Sequence, residues 1–434
     1  MALYDIGIFN GKAYIDGYLV RKNLYIQGEK IVAISSDVFE CNSVYDAKDR
    51  WILPGFIDPH VHFELNVGAY TSADDFKTGS VAAAYGGITT IIDFLDPISK
   101  ADQLEPALIA RKALAEKSVI DYAFHATVAN PKGEVGNIVK EMTRLNLESV
   151  KLFTTYSDSD RRTYDKEIIE LLTLSKEQNF IVLAHIENDD MIRLDEEFLV
   201  KDLTLSRPSE AETSEALKLA QFARDTEGKL YMVHLSSGKT LETLVDNYSD
   251  ILGKHMFIES CPHYFYLNES VFQKSDGYLY LLAPPLRRQI EVNKLKKLFA
   301  HVSTIGTDHC PFMSYEKNKT QLIGTPMGIG GVEHAFDLMY SLYGINAIDK
   351  MTVSTAKIYG LYPEKGSLNI GTDADIVIYN PDHIHAINGG HSNCDYNVYK
   401  GKKVLGQVEA TICSGRFIID NGELVTLKTG KYLG

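Results

Sequence analysis

A chain of 434 residues with 45% apolar content can build one large core and a smaller domain, which excludes a disordered or fibrous chain. Its formal net charge of -14 excludes a broad nucleic-acid or anionic-membrane footprint, since both need concentrated positive charge, and leaves small molecules as partners. Five cysteines without paired spacing, Cys41, Cys261, Cys310, Cys394 and Cys413, read as free thiols in a reducing cytoplasm.

The first segment, "MALYDIGIFNGKAYIDG", alternates apolar and polar residues and is expected to form short strands rather than a secretion leader. No stretch approaches the roughly 20 apolar residues of a membrane helix. From about residue 54, apolar β-rich runs alternate with helical patterns, at 53–61, 88–94, 120–126, 149–154, 180–185, 229–234, 255–260 and 302–307. Between them fall "DQLEPALIARKALAEK", "EVGNIVKEMTRLNL", "DKEIIELLTLSKEQ" and "SEAETSEALKLAQFARDT", with Asp165 and Ser209 as expected N-caps. Eight βα units predict an α/β fold, a (β/α)8 TIM barrel over 53–364. Residues 1–52 and 365–434 carry strand and turn signals such as "GTDADIVIYNP" and "NGELV", and predict one small β-sandwich-like domain packed on the barrel.

A histidine at a strand terminus is ordinarily a packing or hydrogen-bonding residue. Here, however, several polar residues end different strands. In "GFIDPHVHFE" the first strand closes on His60 and His62, whose spacing of two points both to one side. His185 ends the fifth strand, His234 the sixth, and Asp308 follows the eighth. In a (β/α)8 barrel these ends share one mouth, and imidazole with carboxylate there points to a transition metal. Lys151, in "SVKLFTTY" on the fourth strand, is out of place in a barrel interior unless it is salt-bridged or snorkelling. A third option is a deprotonated amine that has taken up carbon dioxide as an anionic carbamate.

His60-x-His62, Lys151, His185, His234 and Asp308, in this order, resemble the amidohydrolase superfamily with a binuclear metal centre. More narrowly, "SADDFKTGSVAAAYGGITTIIDF", "ESCPHYFYL", "APPLR", "TDHCPF" and "GTDADIVIYNP" are similar to the hydantoinase and dihydropyrimidinase branch, along almost the whole chain. The resemblance implies that His60, His62, Lys151 as N6-carboxylysine, and Asp308 bind one divalent metal, and that Lys151, His185 and His234 bind a second. Zinc fits these ligands, as do manganese and cobalt. It further implies that Asp308 shuttles a proton, that Tyr156 donates to the oxyanion, and that backbone groups at Leu282, Ala283 and Met327 face a cyclic amide. The implied reaction opens 5-substituted hydantoins or dihydropyrimidines to N-carbamoyl amino acids, and the implied assembly is a homotetramer.

Alternatives follow from particular residues. His263 stands where dihydroorotases and allantoinases carry histidine, so an allantoinase or another cyclic ureide hydrolase is the runner-up. Glu64 occupies the place of a carboxylate-binding arginine and weighs against dihydroorotase. A non-catalytic assembly protein related to dihydropyrimidinases would lack metal ligands, and a one-metal deaminase would lack Lys151. His125 reads as a rim hydrogen-bonding group, His309 and Cys310 carry no assigned role, and "EKNK" around Lys317 reads as a solvated loop. Phe63, Leu65 and Tyr70 are expected to line an apolar recess for the ring substituent, shaped by the loops at 65–74 and 156–164.

Overall fold

The computed structural model describes residues 3–427 and 430–434. Eight parallel strands form its centre: β1 (Phe56–Val61), β2 (Ile88–Phe94), β3 (Asp121–Thr127), β4 (Ser149–Phe153), β5 (Ile181–His185), β6 (Leu230–Met232), β7 (Met256–Ser260) and β8 (Thr304–Ile305). Neighbours in sequence are neighbours in the sheet. A parallel bridge from Val61 to His309 brings the end of the eighth unit against β1 and closes the ring. Nearly every strand residue is buried, because helices cover the outer face while side chains fill the inside. The expected helices are present at Leu104–Ala115, Val135–Arg144, Asp165–Gln178 and Ser209–Thr226. Asp165 and Ser209 are first helical residues rather than caps; the caps are Tyr164 and Pro208, neither with a side-chain bond.

The termini build two further sheets. Tyr4–Phe9, Asn23–Gln27, Lys30–Ser35 and Cys41–Asp46 make a four-stranded one. Strands from both ends of the chain, among them Lys12–Ile15, Trp51–Pro54, Ile376–Ala386 and Lys403–Cys413, make a seven-stranded one. A period of two decides what each face of the larger sheet covers. Ile52, Ile376, Ile378 and Ile412 pack with Leu24 and Ile26 of the smaller sheet. Their neighbours Leu53, Val377, Tyr379 and Cys413 pack with Ala84, Ile88 and Phe336 of the barrel. Lys365 pins the same junction, buried among Asp121 of β3, Asp373 at 2.9 Å and Asp375 at 2.7 Å. Its ammonium thereby fills the acidic cluster of Asp121, Asp375 and Cys413 that would otherwise invite a metal.

The expected first strand, 53–61, is two elements. Trp51–Pro54 pairs with Ile376–Ala386 in the outer sheet, and the chain enters the barrel only at Phe56. Gly55 is the crossing point, where a Cβ would lie 2.1 Å from Thr89 Oγ1, so only glycine fits. The apolar run "WILPGFI" conceals this break, because both halves are buried. Among the described residues no helix is long and apolar enough to cross a membrane.

Candidate metal centre

The C-terminal strand ends open into one cavity of about 930 Å³. His60, His62, Lys151, His185, His234 and Asp308 all line it, as do Tyr156, Leu282, Ala283 and Met327. At its floor three atoms converge: His60 Nε2 lies 3.2 Å from His62 Nε2, and each lies 3.2 Å from Asp308 Oδ1. Four N/O ligands at 2.0–2.2 Å around a tetrahedral ion would sit roughly 3.3 Å apart, so this spacing fits a first shell. Proton bookkeeping supports the same conclusion. His60 Nδ1 donates to Glu259 Oε1 at 2.7 Å, which leaves Nε2 of the neutral ring as a bare lone pair facing another imidazole nitrogen and a carboxylate oxygen. Such a cluster needs a cation. Burial disfavours a charged His60, but the Glu259 and Asp308 carboxylates outweigh it and push the ring up to about 9, so a proton is the ion a divalent metal would displace.

The second half of the cluster lies alongside. A ligand atom of His234 falls within 4.8 Å of those of His60 and Asp308, and its ring centre is 4.7 Å from that of His185. His185 Nε2 meets Glu187 Oε2 at 2.7 Å, which leaves Nδ1 as the ring nitrogen available to a ligand, and Arg207 pairs with the same carboxylate oxygen. Among the described residues, His62 Nδ1 and His234 Nδ1 are buried with no hydrogen-bond partner. The Lys151 ammonium has no ion pair among the described residues; its Nζ lies 5.1 Å and 5.5 Å from the ring centres of Phe94 and Phe153. Burial lowers its pKa to about 8, so roughly a tenth of it is free amine at pH 7. The snorkelling and salt-bridge options therefore do not describe it.

Backbone strain marks the same residues. His234 has φ 40°, Asp308 φ 50° and Tyr156 φ 70°, left-handed values that cost non-glycine residues about 1 kcal/mol or more each. β6 accordingly ends at Met232, and His234 reaches the mouth from a turn rather than from the strand. Tyr156 is half-buried beside His185, ring centres 5.2 Å apart, with the guanidinium carbons of Arg161 and Arg207 at 4.5 Å and 4.9 Å from its ring centre. Burial raises its phenol pKa, so the hydroxyl keeps the proton it would donate.

Several expectations are corrected. Glu64 has φ 53° and turns away from the cavity to pair with Lys117 at 3.0 Å, so it exerts no direct repulsion on a substrate. Phe63 packs beneath the mouth against Phe76 and His309, leaving Leu65 and Tyr70 in the wall. Lys317 is not solvated. It is fully buried, and its ammonium donates to the carbonyls of Leu279 at 3.1 Å, Leu281 at 2.9 Å and Gly328 at 2.5 Å, tying together the two segments that present Leu282 and Met327. His125 is saturated by Ser149 Oγ at 2.6 Å and the Pro59 carbonyl at 3.0 Å. His263 is buried but does not reach the cavity wall. His309 has a structural part, holding Asp74 Oδ2 at 2.8 Å while Nδ1 accepts from the Gly331 and Val332 N–H groups.

Glu259 is the functional residue that the reading along the chain passed over. Its Oε1 holds His60 and also accepts from the His234 N–H at 2.9 Å, while Tyr231 donates to Oε2 at 2.9 Å. An acid within the otherwise apolar "MFIES" strand is the signal that marks it. Glu259→Gln is expected to weaken metal affinity by ~10–100-fold through loss of His60 orientation, measured by chelator competition. Unchanged affinity would show that Glu259 does not tune the centre.

Fold and cluster together define the class, a (β/α)8 protein with side chains that could hold a metal gathered at its C-terminal mouth. Residues 51–418 match the amidohydrolase family model, and the chain belongs to that family. It is 29% identical to the D-hydantoinase of Geobacillus stearothermophilus, over 96% of this chain and 93% of the other. It is 31% identical to a D-phenylhydantoinase of Escherichia coli O1:K1 / APEC, over 95% and 93%. Among solved structures, dihydropyrimidinase from Brevibacillus agri NCHU1002 superposes with a TM-score of 0.93 at 29% identity, covering 98% of each chain. A D-hydantoinase (dihydropyrimidinase) from Thermus sp. gives 0.92 at 30%, again covering 98% of each.

Proposed function

We propose that this protein hydrolyses the cyclic amide bond of hydantoins or dihydropyrimidines, yielding N-carbamoyl amino acids. The observation that carries the reading is the convergence of His60, His62 and Asp308 at 3.2 Å beside a buried Lys151, in a chain whose relatives are hydantoinases and a dihydropyrimidinase. His60, His62, Lys151 and Asp308 would hold one divalent ion and Lys151, His185 and His234 the other, with Lys151 carboxylated and zinc the fitting metal. When bound, such a pair polarises a carbonyl and lowers the pKa of water.

The chain's own groups do the rest. Asp308 accepts the proton of the attacking water and returns it to the ring nitrogen as the amide C–N bond breaks. The Tyr156 hydroxyl donates to the oxygen that gains charge. Backbone groups at Leu282, Ala283 and Met327 orient the ring, and Lys317 keeps their segments together. A complete ligand set weighs against a non-catalytic assembly role, and five free thiols, three of them buried, fit a cytoplasmic setting.

A panel of hydantoin, 5-substituted hydantoins, dihydrouracil, allantoin and dihydroorotate, assayed for ring opening, tests the reading. Hydantoins or dihydropyrimidines are expected to exceed dihydroorotate at least ~10-fold in kcat/KM, roughly 1.4 kcal/mol of transition-state discrimination. Preferred turnover of dihydroorotate or allantoin would overturn it.

A further inference from the structure

Among the described residues, the cavity holds one arginine, Arg161, without an ion-pair partner. Arg207 is paired with Glu187, and Arg193 with Asp195. Arg161 lines the same cavity, yet no acidic side chain lies within ion-pair distance of it among the described residues. Its one side-chain hydrogen bond there runs from Nε to Ser159 Oγ at 3.0 Å, so both terminal nitrogens keep their donors.

Local structure fixes where those donors lie. A tight turn at Ser157–Ser159, with left-handed residues at Tyr156 and Asp160, folds the chain back so that the Arg161 N–H meets the Tyr156 carbonyl at 3.1 Å. The guanidinium consequently rests over the Tyr156 ring at 4.5 Å, and 5.9 Å from the Phe153 ring centre. Tyr156 in turn stands 5.2 Å from His185. Arg161 thus stacks on the tyrosine that borders the candidate ligand cluster and lines the same cavity. A planar fork immobilised by stacking, with its donors unspent, suits a carboxylate better than a neutral group. Asp96 and Asp158 share the wall but are exposed at the mouth, where solvent screens them.

From this we infer that Arg161 is a specificity-determining residue that reads an anionic group, a carboxylate on a short arm of the ring substituent. The inference rests on the ring-opening reading above and replaces the expectation of a wholly apolar substituent.

The test compares hydantoin carrying a 2-carboxyethyl arm at C5 with its near-isosteric 2-carbamoylethyl amide, in metal-loaded wild type, Arg161→Gln and Arg161→Lys. Ring opening and calorimetric binding are both read. Wild type is expected to favour the acid at least about tenfold in kcat/KM and in Kd. Arg161→Gln should bring both ratios close to one, and Arg161→Lys should keep an intermediate preference. Equal handling of acid and amide by wild type, or a ratio that survives Arg161→Gln, would overturn the role of Arg161. An acid preference in binding without ring opening of either compound would uphold it and overturn the reaction instead.

Discussion

Metal-loaded Asp308→Asn is expected to turn over at least ~100-fold more slowly than wild type, with the loss falling on kcat. The substitution keeps the size of the side chain and one oxygen donor. What it removes is the ability to take a proton. Asp308 is well placed for that task, because Oδ1 touches both His60 Nε2 and His62 Nε2 at 3.2 Å while the side chain still borders the open cavity. Burial opposes ionisation, yet the neighbouring His60 holds the carboxyl well below the usual carboxylate range, so it is present in the ionised form that can accept a proton. Turnover is to be expressed per bound metal, by elemental analysis of the same sample, because the amide is also a weaker ligand. A near-normal kcat in the loaded variant would remove Asp308 from the proton path and leave it a ligand alone.

The barrel was legible because parallel strands buried on both faces spell continuous apolar runs, and "ITTIIDF" or "FIVLAH" stand out from their surroundings. The site was legible for a related reason. Polar residues that end such runs have nowhere to go but the mouth, and His60, His62, His185, His234 and Asp308 all obey that rule. What the pattern hides is direction after the strand stops. Glu64 continues the spacing of His60 and His62, but a left-handed φ sends its carboxylate to Lys117 instead. Lys317 sits in a run of charges that normally means solvent, whereas three converging backbone carbonyls, those of Leu279, Leu281 and Gly328, draw its ammonium inside. Gly55 shows the converse limit: two strands of different sheets, each apolar, read as one until the close approach of Thr89 is seen. Glu259 escaped because its importance lies in a hydrogen bond to a residue 199 positions away.

Lys151→Ala is expected to lose most of its bound metal together with its activity, and to regain part of both when a short carboxylic acid is supplied with the metal. The argument is electrostatic. An ammonium buried among the candidate imidazole ligands, with no ion-pair partner among the described residues, would repel any cation brought to them, whereas carboxylation of the amine releases a proton and reverses the sign of that interaction. Carbon dioxide can take this step because burial pushes Lys151 down to about 8 and so supplies free amine. Lys151→Arg is expected to fail as completely as Lys151→Ala, since a guanidinium stays protonated and cannot be carboxylated. Two readouts independent of turnover check the idea: metal stoichiometry by elemental analysis, and a carbamate resonance in protein loaded in the presence of carbon-13 bicarbonate. Carbamate and metal should appear together and vanish together on chelation, because each neutralises the charge that makes the other costly to bury. A fully loaded two-metal centre beside an unmodified Lys151 amine would end the proposal, for the amine would then hold its place by coordination or exclusion rather than as a bridging anion.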